Sequence, residues 1–441
     1  MTSILAQPFQ LPCGATLPNR LCKAAMTEGL ADELLRPTER HNTLYRQWSE
    51  GGAGLLISGN VMIDRRVLER PANVALDPAT ADAETLRRLK TWTKAGTAAG
   101  NHLWMQINHA GRQSPWYVTT QPLAPSAVQL KLLGNYAKPR ALTEDEILDF
   151  IQRYAHVAAT ARDTGFTGVQ IHAAHGYLIS SFLSPVTNRR RDRWGGSLEN
   201  RARMLLETIK ATRAAVGNEF PVGIKLNSAD FQKGGFTHEE CLQVVEWLND
   251  SGIDLLEISG GTYEQPRLLG YSGQDSSAAA EPQRESTRMR EAYFLDYAAA
   301  IRKVATMPLM VTGGFRTRAG IEDALASGAV DLVGLGRPLC GEPDIPRRLL
   351  DGSLQELPRY EKRMQLGPGI FAPTTKIFLL RLINVLGQQG WYYLQLFRLA
   401  DGLKPDFKLG VFGAFWRYQL DEYRKAWRLR RARRGYSSIR S

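Results

Sequence analysis

Short runs of aliphatic and β-branched residues recur along the chain at Arg20–Met26, Gly54–Met62, His102–His109, Gly168–Ala174, Val222–Ser228, Leu255–Gly261, Leu309–Gly314 and Leu332–Pro338. Each has the length of a strand. Between them lie longer stretches with apolar residues three or four apart: Ala81–Ala99, Thr143–Thr164, Leu198–Val216, His238–Ser251 and Arg288–Val304. That spacing collects apolar side chains on one face of a helix. Strands alternating with helices predict βαβ units and a parallel sheet, and eight such units predict an α/β fold, a (β/α)8 TIM barrel. Punctuation agrees: Thr143-Glu-Asp-Glu146 reads as a capping box, and Gly165, Gly217 and Gly252 stand where helices should end. Two connections, Gly111–Leu142 and Gly261–Thr287, exceed the usual length and follow strand C-termini, where a barrel builds its active site.

The chain has 441 residues, 43% hydrophobic and 23% charged, ordinary for a globular protein and far from the composition of a disordered one. Cys13, Cys22, Cys241 and Cys340 are widely separated, which argues against a disulfide scaffold or a CxxC zinc site and suits a reducing, cytoplasmic compartment. The opening MTSILAQPFQLPCG has no signal-peptide pattern, and no apolar run is long enough to span a bilayer.

The formal charge of +12 is unevenly placed. From Thr375 to Ser441 there are 14 Lys/Arg against 4 Asp/Glu, whereas the preceding residues are nearly balanced. This divides the chain into a barrel over residues 1–365 and a basic, aromatic, helical C-terminal extension over 366–441. The extension holds Trp391-Tyr-Tyr-Leu-Gln-Leu-Phe397 and a final helical stretch, Phe415–Arg434. There Trp416, Leu420, Tyr423, Trp427 and Arg430 share one face, with Arg417, Arg424, Lys425, Arg428 and Arg431 expected opposite. Such a helix suits a membrane surface, which would make the protein peripheral at the inner face of a membrane. The same pattern also suits packing on the barrel or on a second subunit, so homo-oligomerisation stays open. No recognisable nucleic-acid fold accompanies the arginines. In the membrane reading, the final helix is expected to be separable from turnover.

Candidate chemistry clusters at the C-terminal ends of the predicted strands. These sites are Ala25-Met26-Thr27, Gln106-Ile-Asn-His-Ala-Gly-Arg112, His172-Ala-Ala-His175-Gly-Tyr177, Lys225, Gly313-Gly314 and Gly334-Leu-Gly336-Arg337. Glycine turns after the last two strands of a barrel commonly hold a phosphate, and Arg337 adds charge; turns needed only for tight connections are the plainer reading. His172 and His175 could be metal ligands, but no third ligand stands in a recognisable pattern, and no metal site is assigned. Two imidazoles and a phenol also suit polarising a carbonyl and delivering a proton. Lys225, on a strand expected to be buried, needs a partner; a Schiff-base lysine and a cation holding charge on a cofactor are both open.

These motifs, in this order, resemble the Old Yellow Enzyme family of FMN-dependent ene-reductases. The resemblance runs from about Phe9 to Tyr360 and includes Leu17-Pro-Asn-Arg-Leu21, Ile171-His-Ala-Ala-His-Gly-Tyr-Leu178, Phe182-Leu-Ser-Pro185, Asn188, Asp192 and Gly195-Gly-Ser-Leu-Glu-Asn-Arg201. It implies FMN seated across the strand ends, with Ala25, Met26 and Thr27 lining it, Gln106 at the pyrimidine side and Lys225 near N1 and O2. It also implies phosphate contacts from Gly313, Gly314, Gly336 and Arg337. His172 and His175 would bind the carbonyl oxygen of an α,β-unsaturated substrate and Tyr177 would supply a proton, after hydride from NADH or NADPH has reduced the flavin. Three positions depart from the family pattern. Lys225 replaces an Arg, Thr27 stands where some relatives have Cys, and Gly59-Asn60, expected after the second strand, would alter the floor of the flavin pocket.

Two readings compete. One is the branch of 2,4-dienoyl-CoA reductase and amine dehydrogenases, whose iron–sulfur relay has no cysteine cluster to match here. The other is a membrane-attached flavoprotein module with little turnover.

Overall fold

The computed structural model describes residues 3–78, 81–259 and 297–437. Eight parallel strands close into a barrel: β1 (Leu21–Lys23), β2 (Leu55–Met62), β3 (His102–Asn108), β4 (Gly168–Ala173), β5 (Val222–Asn227), β6 (Leu255–Ser259), β7 (Leu309–Thr312) and β8 (Leu332–Leu335). β8 pairs with β1, Val333 beside Leu21, and seals the ring. Strands buried on both faces explain the unbroken apolar runs: all eight residues of β2 are inaccessible.

Around the barrel lie α1 (Glu39–Glu50), α2 (Ala83–Gly96), α3 (Glu144–Asp163), α4 (Leu198–Val216), α5 (His238–Leu248), α6 (Arg318–Ala326) and the short α7 (Ile345–Leu350). The expected capping box at Thr143 and Glu146 is formed, and Thr237 with Glu240 makes another. Gly165, Gly217 and Gly252 follow α3, α4 and α5 with φ of 93°, 80° and 72°, as terminating glycines should. The connection Gly261–Thr287 and most of the helix expected over Arg288–Val304 lie outside the described residues; residues 297–302 are helical. An N-terminal hairpin pairs Phe9 with Leu17, and Leu11 and Leu17 close the barrel floor.

The extension forms two long helices, α8 (Phe378–Ala400) and α9 (Val411–Ser437). The intervening segment runs back along α8: Asp406 N–H donates to Gln395 at 2.7 Å, and Arg398 Nε donates to the Lys404 carbonyl at 2.8 Å. The two helices therefore lie parallel, with Tyr393 stacked on Tyr418 at 5.1 Å. Glycine permits the close approach, since a Cβ on Gly390 would stand 3.0 Å from the Ala414 carbonyl oxygen.

α9 lies across the loops that follow β1, β2 and β3. Lys425 Nζ donates to the Gly29 carbonyl at 2.9 Å, and Arg433 donates to the carbonyls of Val118 and Arg65. Leu429 is buried among Leu35, Met62, Leu68, Ala75 and Val118. Glu422 pairs with Arg70, each 4% exposed, and the Arg70 guanidinium covers the Tyr393 ring at 4.1 Å.

Trp416, Leu420, Tyr423, Trp427 and Arg430 share one face as the spacing predicts, but of the basic residues expected opposite it only Lys425 stands there. The buried face of α9 carries Val411, Ala414, Tyr418, Glu422, Ala426 and Leu429, while Phe412, Trp416, Leu420, Tyr423 and Trp427 face outward. Lys425 belongs to the inner side, and Arg417, Arg424 and Arg428 flank the aromatic stripe. The helix is also tied to the barrel by a buried ion pair, Arg70 with Glu422, which its removal would break. Removing one partner of such a pair leaves an uncompensated charge. Glu422→Ala should lower the unfolding free energy by about 3–5 kcal/mol in urea denaturation; a loss within experimental error would show that Arg70 does not depend on it.

Candidate active site

Alternate residues of each strand point into the barrel, so the interior can be read layer by layer. The lower filling is apolar: Cys22, Leu55, Ile57, Trp104, Leu255, Met310 and Leu332. Above it the filling turns polar. Lys225 Nζ donates to Glu257 Oε1 at 2.7 Å, Gln170 Nε2 to Glu257 Oε2 at 2.7 Å, and Gln106 Nε2 to Gln170 Oε1 at 2.7 Å. All four side chains are buried. The carboxylate fixes the polarity of this chain. It can only accept, so Gln170 must turn its NH2 toward it and its carbonyl toward Gln106. Gln106 then donates to Gln170, and its own carbonyl oxygen is the open end.

His172 stands beside Lys225 in the β4–β5 register, and Lys225 beside Glu257 in β5–β6. The Ala174 N–H donates to His172 Nδ1 at 3.2 Å, which leaves the ring proton of a neutral imidazole on Nε2. His175 has a left-handed backbone, φ 63°. Its N–H donates to Asn227 at 3.1 Å, and its carbonyl accepts from Gln113 at 2.7 Å. These bonds hold an otherwise unfavourable conformation. The His175 Nε2 lies 2.6 Å from Ser259 Oγ. The two imidazoles meet edge to face at 5.1 Å, and the Tyr177 ring meets His172 at 4.8 Å. Burial pushes both imidazoles well below the usual histidine range; Lys225 adds to this for both, and His175 for His172.

A residue with only a weak sequence signal organises the opposite side. Glu69, in the loop after β2, accepts from Tyr177 OH at 2.7 Å, Thr27 Oγ1 at 2.6 Å and Asn60 Nδ2 at 2.7 Å. Its only advance cue was a charged residue in a loop at the barrel's C-terminal end. Glu257 had a clearer one, as a lone carboxylate inside the apolar run Leu255-Leu-Glu-Ile-Ser259. Gly59 and Asn60 lie within β2, not after it, at a shift of register between Ile57 and Asn60. Gly59 passes tightly beneath Met26 and Thr27, and a Cβ there would come 2.5 Å from the Met26 carbonyl oxygen. Ala25 and Met26 follow β1 and are half-buried, and Met26 Sδ lies 3.5 Å from Cys340 Sγ.

After β7, Gly313 and Gly314 adopt φ of 93° and 89°, and a Cβ on Gly313 would meet nothing within 4 Å. Gly336 follows β8, and Arg337 beside it is exposed. The half-buried Arg316 joins them; burial pushes its guanidinium down, and the nearby charges of Arg337 and Arg359 push the same way. Glu361, 3.1 Å from Arg316, partly offsets them. Bare glycine turns beside a surplus of guanidinium groups make a cradle that a phosphate would complete.

Together these features fit a flavin mononucleotide: an anion cradle at the β7–β8 ends, an amide chain ending in a carbonyl acceptor, a cation within it, and two imidazoles with a phenol. A closed parallel barrel with such a mouth is that of a flavin-dependent oxidoreductase. Residues 5–356 match the NADH:flavin oxidoreductase / NADH oxidase family, and the chain belongs to it. It is 38% identical to the NADH-dependent flavin oxidoreductase iliE of Hypocrea jecorina (strain QM6a), covering 78% of this chain and 88% of that one. It is likewise 38% identical to the protein of that description from Neonectria sp. (strain DH2), covering 77% of this chain but only 46% of that longer protein. Among solved structures, the old yellow enzyme homologue from Zymomonas mobilis superposes with a TM-score of 0.66 at 30% identity, over 80% of this chain and 94% of that one.

Three buried imidazoles carry a pH consequence. Burial takes His41 to about 3, and it holds His172 and His175 low as well. In the unfolded chain each titrates near ~6.5. As pH falls below that value the unfolded state binds protons first, so the stability from neutral histidines is complete above it and is lost below it. Urea unfolding at about pH 7.5 and about pH 5.5 should show this loss, and His172→Asn with His175→Asn should shrink it, leaving the part due to His41 and to His102, which burial also holds low. An undiminished loss in the double variant would show that neither ring is held neutral by the fold.

Proposed function

We propose that the protein is an FMN-dependent NAD(P)H oxidoreductase that reduces the C=C bond of α,β-unsaturated carbonyl compounds. The observation that carries this is the convergence of His172, His175 and Tyr177 at the barrel mouth, where the His172 ring meets the rings of both others. FMN, when bound, supplies the hydride chemistry, accepting from the nicotinamide and donating to the substrate.

The residues of the chain set the field around it. Gly313, Gly314, Gly336, Arg337 and Arg316 would hold the phosphate by backbone N–H groups and charge. Ala25, Met26 and Thr27 would line the ring, beside Gly59 and Asn60. The Gln106 carbonyl would accept a hydrogen bond from the bound ring, and Lys225 would offer it a point charge. Its ion pair with Glu257 also argues against a Schiff base, because an ammonium engaged by a carboxylate has no lone pair with which to attack a carbonyl. His172 donates from Nε2 to the substrate oxygen, and His175, once released from Ser259, donates beside it. Buried neutral donors draw electron density from the β-carbon without bringing a full charge into the pocket. Tyr177 holds its proton against the Glu69 carboxylate at rest, and the substrate takes over that bond when the α-carbon is protonated.

Purified protein should be yellow and release FMN on denaturation. In stopped-flow experiments, Tyr177→Phe should slow reoxidation of the reduced flavin by 2-cyclohexenone roughly a hundredfold or more while barely changing its reduction by NADH or NADPH. Equal slowing of both steps would remove Tyr177 from proton delivery, and a colourless protein that FMN does not reconstitute would overturn the reading as a whole.

A further inference from the structure

The final helix is amphipathic in an inverted sense. Its barrel-facing side is held by the Arg70–Glu422 pair, small residues and the Lys425 contact, whereas its solvent-facing side carries the larger apolar groups. Trp416 is 52% exposed and Trp427 61% exposed, and they align with Phe412, Leu420 and Tyr423 at steps of three and four residues. The stripe spans about four helical turns, roughly 22 Å. Arg417, Arg424 and Arg428 run along one side of it, and Arg430, Arg431 and Arg434 extend past its end; all six are exposed. Among the described residues, the nearby carboxylates Asp421 and Glu33 are close to basic groups: Asp421 is engaged by Lys425 at 2.6 Å, and Glu33 lies 3.9 Å from Arg428. Among the described residues no helix is long and apolar enough to cross a membrane.

We propose that this face of α9 adsorbs to an anionic lipid surface. Tryptophan and tyrosine favour the headgroup boundary, where an apolar body and a polar tip are both satisfied. The flanking arginines meet lipid phosphates, and charge complementarity selects this occupant over a second copy of the chain. Two copies joined antiparallel, stripe to stripe, would bring the rows of Arg417, Arg424 and Arg428 to the same edge, like charge against like. The face belongs to the same end of the barrel as the active-site loops, because α9 rests on the loops after β1, β2 and β3. The proposal does not depend on the substrate reading.

The test is co-sedimentation of the full-length flavoprotein with vesicles of phosphatidylglycerol and phosphatidylcholine, compared with phosphatidylcholine alone. Binding should be roughly tenfold or more stronger to the anionic vesicles and should weaken with salt. Trp416→Ser with Trp427→Ser, and separately Arg417→Gln with Arg424→Gln and Arg428→Gln, should each abolish most of it. These side chains are exposed, so NAD(P)H oxidation and the melting temperature should stay at the parental level and report that the variants are folded. The proposal is overturned by absence of binding to either vesicle, by binding that the substitutions leave unchanged, or by a dimer in sedimentation velocity that the tryptophan substitutions dissolve while vesicles remain unbound.

Discussion

One carboxylate inside the barrel sets the orientation of everything above it. Glu257 accepts from Lys225 and Gln170, and its inability to donate dictates which way each amide in the chain must face. A buried ammonium and a buried carboxylate are each expensive alone, and the pair is tolerable only because further hydrogen bonds complete it. The result is a fixed dipolar layer between an apolar floor and a reactive mouth. Its positive member stands in register with His172, which helps keep that imidazole neutral. Neutral donors, a point cation and an amide carbonyl thus follow from a few inward-pointing positions on four neighbouring strands.

The second organising carboxylate is on a loop. Glu69 gathers a phenol, a hydroxyl and an amide from three segments distant in sequence. Its neighbour Arg70 turns the other way, into the extension, to meet Glu422. Two adjacent residues therefore tie the mouth on one side and the last helix on the other.

The barrel was legible because burial on both faces leaves an apolar run, and because capping residues and terminal glycines mark the helix ends locally. β1 is shorter than its run, since the chain leaves the ladder after Lys23 and the following residues line the mouth. Gly59 and Asn60 fall inside β2 because a register shift lets the strand continue past them. Lys225 is legible as a cation in a buried strand, and its partner Glu257 is legible in the same way, as a lone carboxylate in an apolar run. Glu69 was not legible, as its role arises from contacts between segments far apart in sequence. The final helix was visible as a helix, but which face would be covered was not. Apolar spacing identifies an amphipathic helix and says nothing of whether the barrel or something else takes its greasy side. Here a buried ion pair and close packing at small residues decided it.

The parallel course of α8 and α9 has a thermodynamic corollary. Because one rigid rod carries both the outward tryptophans and the inward glutamate that steadies the loop after β2, events on its two sides share a free energy. By reciprocity, whatever the outer side gains when the rod is firmly seated must return as firmer seating when that side is engaged. Order in the catalytic rim would then be a property of the protein's surroundings as much as of its own packing.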